Sequence, residues 1–145
     1  MKVFIAGVMQ GNRKDHLIHP QDYRRVITEK LSSIANEAVE VIDPDKTDPD
    51  RLNYTYDQAK DMFIKYCHIA GQVDILFSYV PEASMGSAVE MWMAYQSNIP
   101  IITISTMKAN WVVKILSDKV YEDLNDFCNN FDRKTLKQLT KRKNE

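Results

Sequence analysis

The sequence predicts a doubly wound α/β domain, a parallel sheet with helices on both faces. Three observations carry that expectation. Short apolar runs at residues 2–6, 39–42, 73–79 and 100–105 have the continuous Val/Ile/Leu/Phe character of strands buried on both sides. Between them lie longer segments whose apolar residues recur at helical spacing. The two kinds alternate as βαβαβαβα, which is built most simply from parallel strands joined by helical crossovers. The expected architecture is a Rossmann- or flavodoxin-like sheet of four to five strands.

Each element has its own signal. Residues 2–6 form a buried strand, and 7–13 a polar loop with two glycines. Over 20–36, Val26, Ile27, Leu31 and Ile34 recur at helical spacing, and Pro20 suits a first turn, where its missing N–H costs nothing. Residues 39–42 are a short strand. The 43–53 stretch holds two prolines and four aspartates and reads as loop. Ala59, Met62, Phe63, Tyr66 and Ile69 make a helical stripe over 56–70, which Gly71 ends. Residues 73–79 are the third strand, and 85–97 a helix that is apolar nearly all round. Pro100 is confined to the start of the fourth strand, because proline cannot donate to a ladder. Residues 110–127 read as one helix with Val112, Val113, Leu116 and Val120 on its stripe. Residues 132–145 carry six Lys or Arg and few apolar residues, the pattern of a frayed, solvated helix or tail. The expected organisation is therefore one domain over 1–130 and a basic C-terminal helix or tail over 131–145.

Bulk properties narrow the function. A chain of 145 residues, 44% apolar and 27% charged, suits a single globular core. A net charge of −1 gives no global pull toward nucleic acid or anionic membrane. The N-terminal apolar run is too short for a signal-peptide core, and no run has membrane length. Cys67 and Cys128 lack metal or redox spacing and read as reduced thiols of a cytoplasmic protein. His16, His19 and His68 show no metal spacing and read as surface or loop residues. The aspartates of 43–50 lack an EF-hand pattern. No metal or cofactor is expected.

The most informative stretch is 80–92. It follows the third strand and opens the apolar helix, with Ser84, Gly86 and Ser87 at the turn and Glu90 among Val89, Met91, Trp92 and Met93. Free N–H groups at a helix start, beside hydroxyls and a glycine, make an anion site, although Ser84 alone is also an ordinary cap. Three roles fit Glu90 at this stage. It can close a capping box with Ser87, it can pair with a Lys or Arg, or it can serve as nucleophile or base at the carboxyl edge of the sheet. A carboxylate suits attack on a sugar carbon that develops oxocarbenium character. The loop Gly7-Val8-Met9-Gln10-Gly11-Asn12-Arg13 adds glycines, amides and a guanidinium beside the first strand, without the pattern of a P-loop or of GxGxxG.

Together these residues resemble the nucleoside 2-deoxyribosyltransferase-like family, which includes nucleoside 5′-monophosphate N-glycosidases. The resemblance runs from residue 2 to about 118. It rests on Phe4-Ile5-Ala6-Gly7, Val73-Asp74-Ile75-Leu76, Ser84-Met85-Gly86-Ser87-Ala88-Val89-Glu90 and Asn110-Trp111-Val112-Val113. It implies that Glu90 is a nucleophile forming a glycosyl-enzyme intermediate, and that Ser84 contacts a 5′-phosphate. It further implies that Gly7, Gly11 and Arg13 line the substrate site, to which the reading of the loop and of the helix start adds Gln10, Gly86 and Ser87. Asn110 then completes a neighbour's site in a homodimer or higher oligomer. The activity expected first is cleavage of the N-glycosidic bond of a (deoxy)nucleoside or its 5′-monophosphate. The alternatives are 2-deoxyribosyl transfer between nucleobases, or a nucleotide-binding protein without catalysis. The aspartate that the family carries about two helical turns before the third strand has no counterpart: the chain reads Lys65-Tyr66-Cys67, and the nearest acids are Asp57 and Asp61. Val8 and Met9 stand where the family often has an aromatic.

Overall fold

The computed structural model of the chain describes residues 1–142. Its strands are β1 (Lys2–Gly7), β2 (Glu40–Ile42), β3 (Ile75–Tyr79), β4 (Ile101–Ile104) and β5 (Lys119–Tyr121). They form one sheet in the order β2-β1-β3-β4-β5, with every pairing parallel. The helices are α1 (Tyr23–Ile34), α2 (Pro44–Thr47), α3 (Tyr56–Ala70), α4 (Met85–Gln96), α5 (Trp111–Leu116), α6 (Leu124–Asn130) and α7 (Arg133–Arg142).

Alternation along the strands divides the core in two. Val3 and Ile5 of β1 and Ile75 and Phe77 of β3 face one way, against Ile27 and Leu31 of α1 and Phe127 of α6. Phe4 and Ala6 of β1 and Leu76 of β3 face the other, against Tyr66 and Ala70 of α3, Met91 and Ala94 of α4 and Leu116 of α5. The strands are apolar throughout because both faces are covered.

The order β2-β1-β3 has a functional consequence. The chain leaves β1 toward β2 on one side and β3 toward β4 on the other. A crevice therefore opens outside the carboxyl ends of β1 and β3, where open α/β sheets hold ligands.

Three segments differ from the sequence expectation. Residues 110–127 are not one helix: α5 stops at Leu116, and β5 and α6 follow. The Asp118 carboxylate takes the Ile101 N–H at 2.9 Å, which ties the segment after α5 to the start of β4. Val120 then pairs with Thr103, and Asp123 caps α6 by accepting from the Asp126 N–H. Residues 43–53 contain the single turn α2, capped by Asp43 with Pro44 in its first turn, and a 3-10 turn at Arg51–Asn53. The basic segment after 131 is helical over Arg133–Arg142 and packs on the core through Leu136 and Leu139. Those two leucines are one helical turn apart, so two apolar residues suffice to seat it. Residues 143–145 of that expected tail lie outside the described residues.

Among the described residues, no helix is long and apolar enough to cross a membrane. Nor do they include a group of three or more His, Cys, Asp or Glu placed to hold a metal ion.

Candidate active site

The crevice is built on the end of β1. Gly7 is its last residue, and the Val8 N–H continues the pairing by donating to the Tyr79 carbonyl at 2.9 Å. A Cβ built on Gly7 would stand 2.4 Å from the Tyr23 hydroxyl, so only glycine lets the α1 ring lie this close to the strand. Tyr23 stacks on Tyr79 with centroids 4.4 Å apart, and its hydroxyl donates to the Gln21 amide oxygen.

Arg24 follows on the buried side of α1, with 2% exposure. Its guanidinium donates to the Ile5 carbonyl at 2.5 Å and to the Gln21 amide oxygen at 2.9 Å, and faces the Asp43 carboxylate at 3.2 Å. A fixed cation thus sits beneath the carboxyl end of β1, partnered by a carboxylate from the end of β2.

Glu90 belongs to α4. That helix is capped by Ser84, whose hydroxyl accepts from the Ser87 N–H at 3.4 Å and is 2.9 Å from the Ser87 hydroxyl. The cap is therefore Ser84 rather than Ser87, and Glu90 lies too far inside the helix to close a capping box. No described Lys or Arg pairs with it, and its carboxyl has no hydrogen-bond partner among the described residues. Burial pushes its pKa from an ordinary 4.5 up to about 8, and the Arg24 charge offsets only part of that rise. Tyr23 on α1 and Cys67 on α3 both sense the Glu90 charge. Each is pushed above its ordinary value, chiefly by burial and in addition by that carboxylate. The Glu90 carboxyl thus lies within electrostatic range of α1 and α3. Two of the three roles open in the sequence, the capping box and the ion pair, find no support in the geometry. What the structure leaves is a part-buried carboxyl of raised pKa without a hydrogen-bond or ion-pair partner among the described residues.

The other sequence-predicted residues divide. Gly7 and Gly11 lie on the crevice side, Gly11 with a left-handed φ of 57°. Gln10 is exposed, and its carbonyl accepts from the Arg13 N–H. Arg13 is engaged by Asp15 through two hydrogen bonds of 2.9 and 2.8 Å, and that pairing holds the Asp15 carboxyl down to about 2. Ser87 is buried against its cap. Gly86 has room for a Cβ, 3.8 Å from the nearest Phe63 carbon, so packing does not demand glycine there. Ser84 and Asn110 share a neighbouring hollow of about 180 Å³ between α4 and α5, lined also by Val80, Met107 and Val113; Glu90 is not on its wall. Asn110 is the cap of α5, its side-chain oxygen accepting from the Val112 N–H at 3.0 Å.

Sequence reasoning missed Tyr23, Arg24 and Glu82, and placed His19 only as a surface or loop residue. Arg24 carried a readable signal: it lies three and seven residues before Ile27 and Leu31, on the same buried stripe. Glu82 and His19 meet, with the His19 Nε2 2.8 Å from the Glu82 Oε1. Nothing local connects residues 63 positions apart.

Neither a family model nor a curated protein sequence matches the chain. Its fold does match a solved structure, the 2-deoxyribosyltransferase from the psychrotolerant bacterium Bacillus psychrosaccharolyticus. The two share 18% identity over 94% of this chain and 96% of that one, with a TM-score of 0.67. At that identity the likeness speaks for the fold.

Proposed function

We propose that this chain is an enzyme of the nucleoside 2-deoxyribosyltransferase-like family, and that it moves a 2-deoxyribosyl group from one nucleobase to another. The observation that carries the reading is Glu90, a part-buried carboxyl of raised pKa with no hydrogen-bond or ion-pair partner among the described residues, on the helix that follows β3. The likeness in fold to a 2-deoxyribosyltransferase supports the choice of chemistry. Transfer between bases is preferred to the cleavage of a (deoxy)nucleoside or its 5′-monophosphate that the sequence favoured, because the fold resembles that of a 2-deoxyribosyltransferase.

In this reading the ionised Glu90 attacks the anomeric carbon. The glycosidic electron pair leaves with the base, which takes up a proton. The resulting glycosyl ester is then attacked by a nitrogen of the second base, which gives up a proton and returns the carboxylate. The cycle is neutral in protons and needs no cofactor. With no acceptor present, water resolves the same ester and the outcome is hydrolysis.

The test is to incubate the protein with a panel of 2′-deoxynucleosides and 5′-monophosphates, with and without a second base, and to separate the products. A new nucleoside appearing only when the second base is present is the expected result. Free base alone would assign hydrolysis. Binding without either product would assign a nucleotide-binding protein.

Assembly belongs to the same proposal. Trp92 and Tyr95 on α4 stack at 5.8 Å while about half exposed, and Trp111 and Ile115 on α5 are 80% and 60% exposed. Apolar surface of this kind marks a contact site, and a second copy covering it brings Asn110 to the boundary between protomers. Sedimentation at micromolar concentration should show a dimer or larger species. A monomer would remove Asn110 from the site.

A further inference from the structure

We propose that the outer face of α7 binds the phosphate backbone of double-stranded DNA without reading its sequence. The net charge of −1 conceals a segregation. Six of the nineteen Lys and Arg residues fall within 132–145, with only Asp132 and Glu145 against them. The helix gathers four of the six on one side. At its regular turn, Arg133, Lys137, Lys141 and Lys134 fall within a sector of about 100°, flanking the Leu136 and Leu139 that seat α7 on the core. All four are exposed and, with Gln138, border one open hollow. The row is about 12 Å long. None of the four forms an ion pair with a described residue. Asp132 stands beside Lys134 and feels its charge, but its Oδ1 is taken by the Thr135 N–H at 2.8 Å and the Thr135 hydroxyl at 2.7 Å.

Chemistry selects the partner. The apolar side of α7 is used on the core, so the helix has none left to lay into a lipid interface. The row offers no aromatic or apolar anchor, and lysine is depleted where proteins meet one another. Phosphate contacts need only cations, and a straight row of them suits a charge that repeats every ~3.4 Å along one strand of a DNA duplex. Single strands are held by stacking on aromatics, which the row lacks. Duplex RNA is held through its 2′-hydroxyls, for which only Gln138 stands ready. The Arg133 Nε donates to the Ile34 carbonyl at 2.9 Å, at the end of α1. Because α1 starts beside Gly7 at the carboxyl end of β1, its last residue lies toward the other edge of the sheet. The first turn of α7 is thereby placed away from the crevice.

Fluorescence anisotropy of two short labelled DNA duplexes of unrelated sequence, titrated with the full chain, tests this. Wild type should bind both alike, with Kd in the range of about 1–100 μM. Affinity should fall by about 40-fold or more between ~50 and ~200 mM salt, as expected for three to four neutralised phosphates. The triple variant Lys134→Gln, Lys137→Gln, Lys141→Gln should weaken binding at least about tenfold and flatten the salt dependence, while melting as wild type does. Should it melt early, Lys134→Gln and Lys141→Gln made singly should each lower the log–log salt slope by about 1. Unchanged binding in these variants would overturn the proposal, as would strong preference for one duplex sequence. Tighter binding of an RNA duplex, of phosphatidylserine vesicles or of a polyglutamate peptide than of DNA would overturn it too. So would the absence of DNA binding at the lowest salt.

Discussion

Glu90→Gln should lower base exchange by several orders of magnitude while the protein stays folded and gains stability at alkaline pH. The amide keeps the shape of the side chain and removes the nucleophile. The stability change follows from linkage. Burial raises the folded-state pKa of Glu90 to about 8, from an ordinary 4.5. Between those values the unfolded chain has released the proton and the folded chain retains it. The Glu90 contribution is therefore fully present below about 4.5, is lost progressively as pH rises toward about 8, and is gone above it. The shift corresponds to a difference on the order of 3–5 kcal/mol. Denaturant unfolding at pH 5 and pH 9 should show a fall for wild type that Glu90→Gln lacks. The same ionisation governs the rate. Because the attacking form is the carboxylate, kcat/KM of wild type should climb with pH and level off above about 8. An active Glu90→Gln variant would defeat the mechanism.

Arg24→Met should be the most destabilising single change near the site, costing about 3 kcal/mol or more. Methionine fills much of the space but leaves Asp43, 4% exposed, without its cation, and the Ile5 carbonyl without that donor. Adding Asp43→Asn should recover part of the loss, since the stranded charge causes much of the damage. The variant also has a functional signature. The Arg24 charge lowers the Glu90 pKa against the effect of burial, so its removal should move the rising limb of the rate profile to still higher pH. A stability loss under about 1 kcal/mol would show that the pair is not a structural support. An unmoved pH profile would show that the Arg24 field does not govern Glu90.

Much of this was legible in the sequence, and the reason is locality. Unbroken apolar runs such as 73–79 mark strands buried on both faces, and the stripe through Met62, Tyr66 and Ile69 marks a helix; both patterns repeat within one or two turns of chain. Strict alternation of the two then leaves few topologies besides a parallel, doubly wound sheet, which is what forms. Glu90 stood out for the same reason, as a single carboxyl in an apolar helix just past a turn containing Ser84.

The remainder was decided by contacts between distant segments. β5 is three residues long and exists because β4 offers an edge and Asp118 meets the Ile101 N–H; by its own pattern it continued the helix before it. The segment after 131 is held by two leucines whose value depends on the core they meet. The surroundings of Glu90 come from α1, α3 and α4, which the sheet brings together. The sequence by itself determined that a parallel α/β sheet forms and that a lone carboxyl stands in the apolar helix after its third strand. Only the tertiary structure decided that this carboxyl has a raised pKa and no partner among the described residues, and that Arg13 pairs with Asp15. Periodicity is a property of neighbours along the chain, whereas desolvation and charge pairing depend on which distant groups exclude water from the same few ångströms.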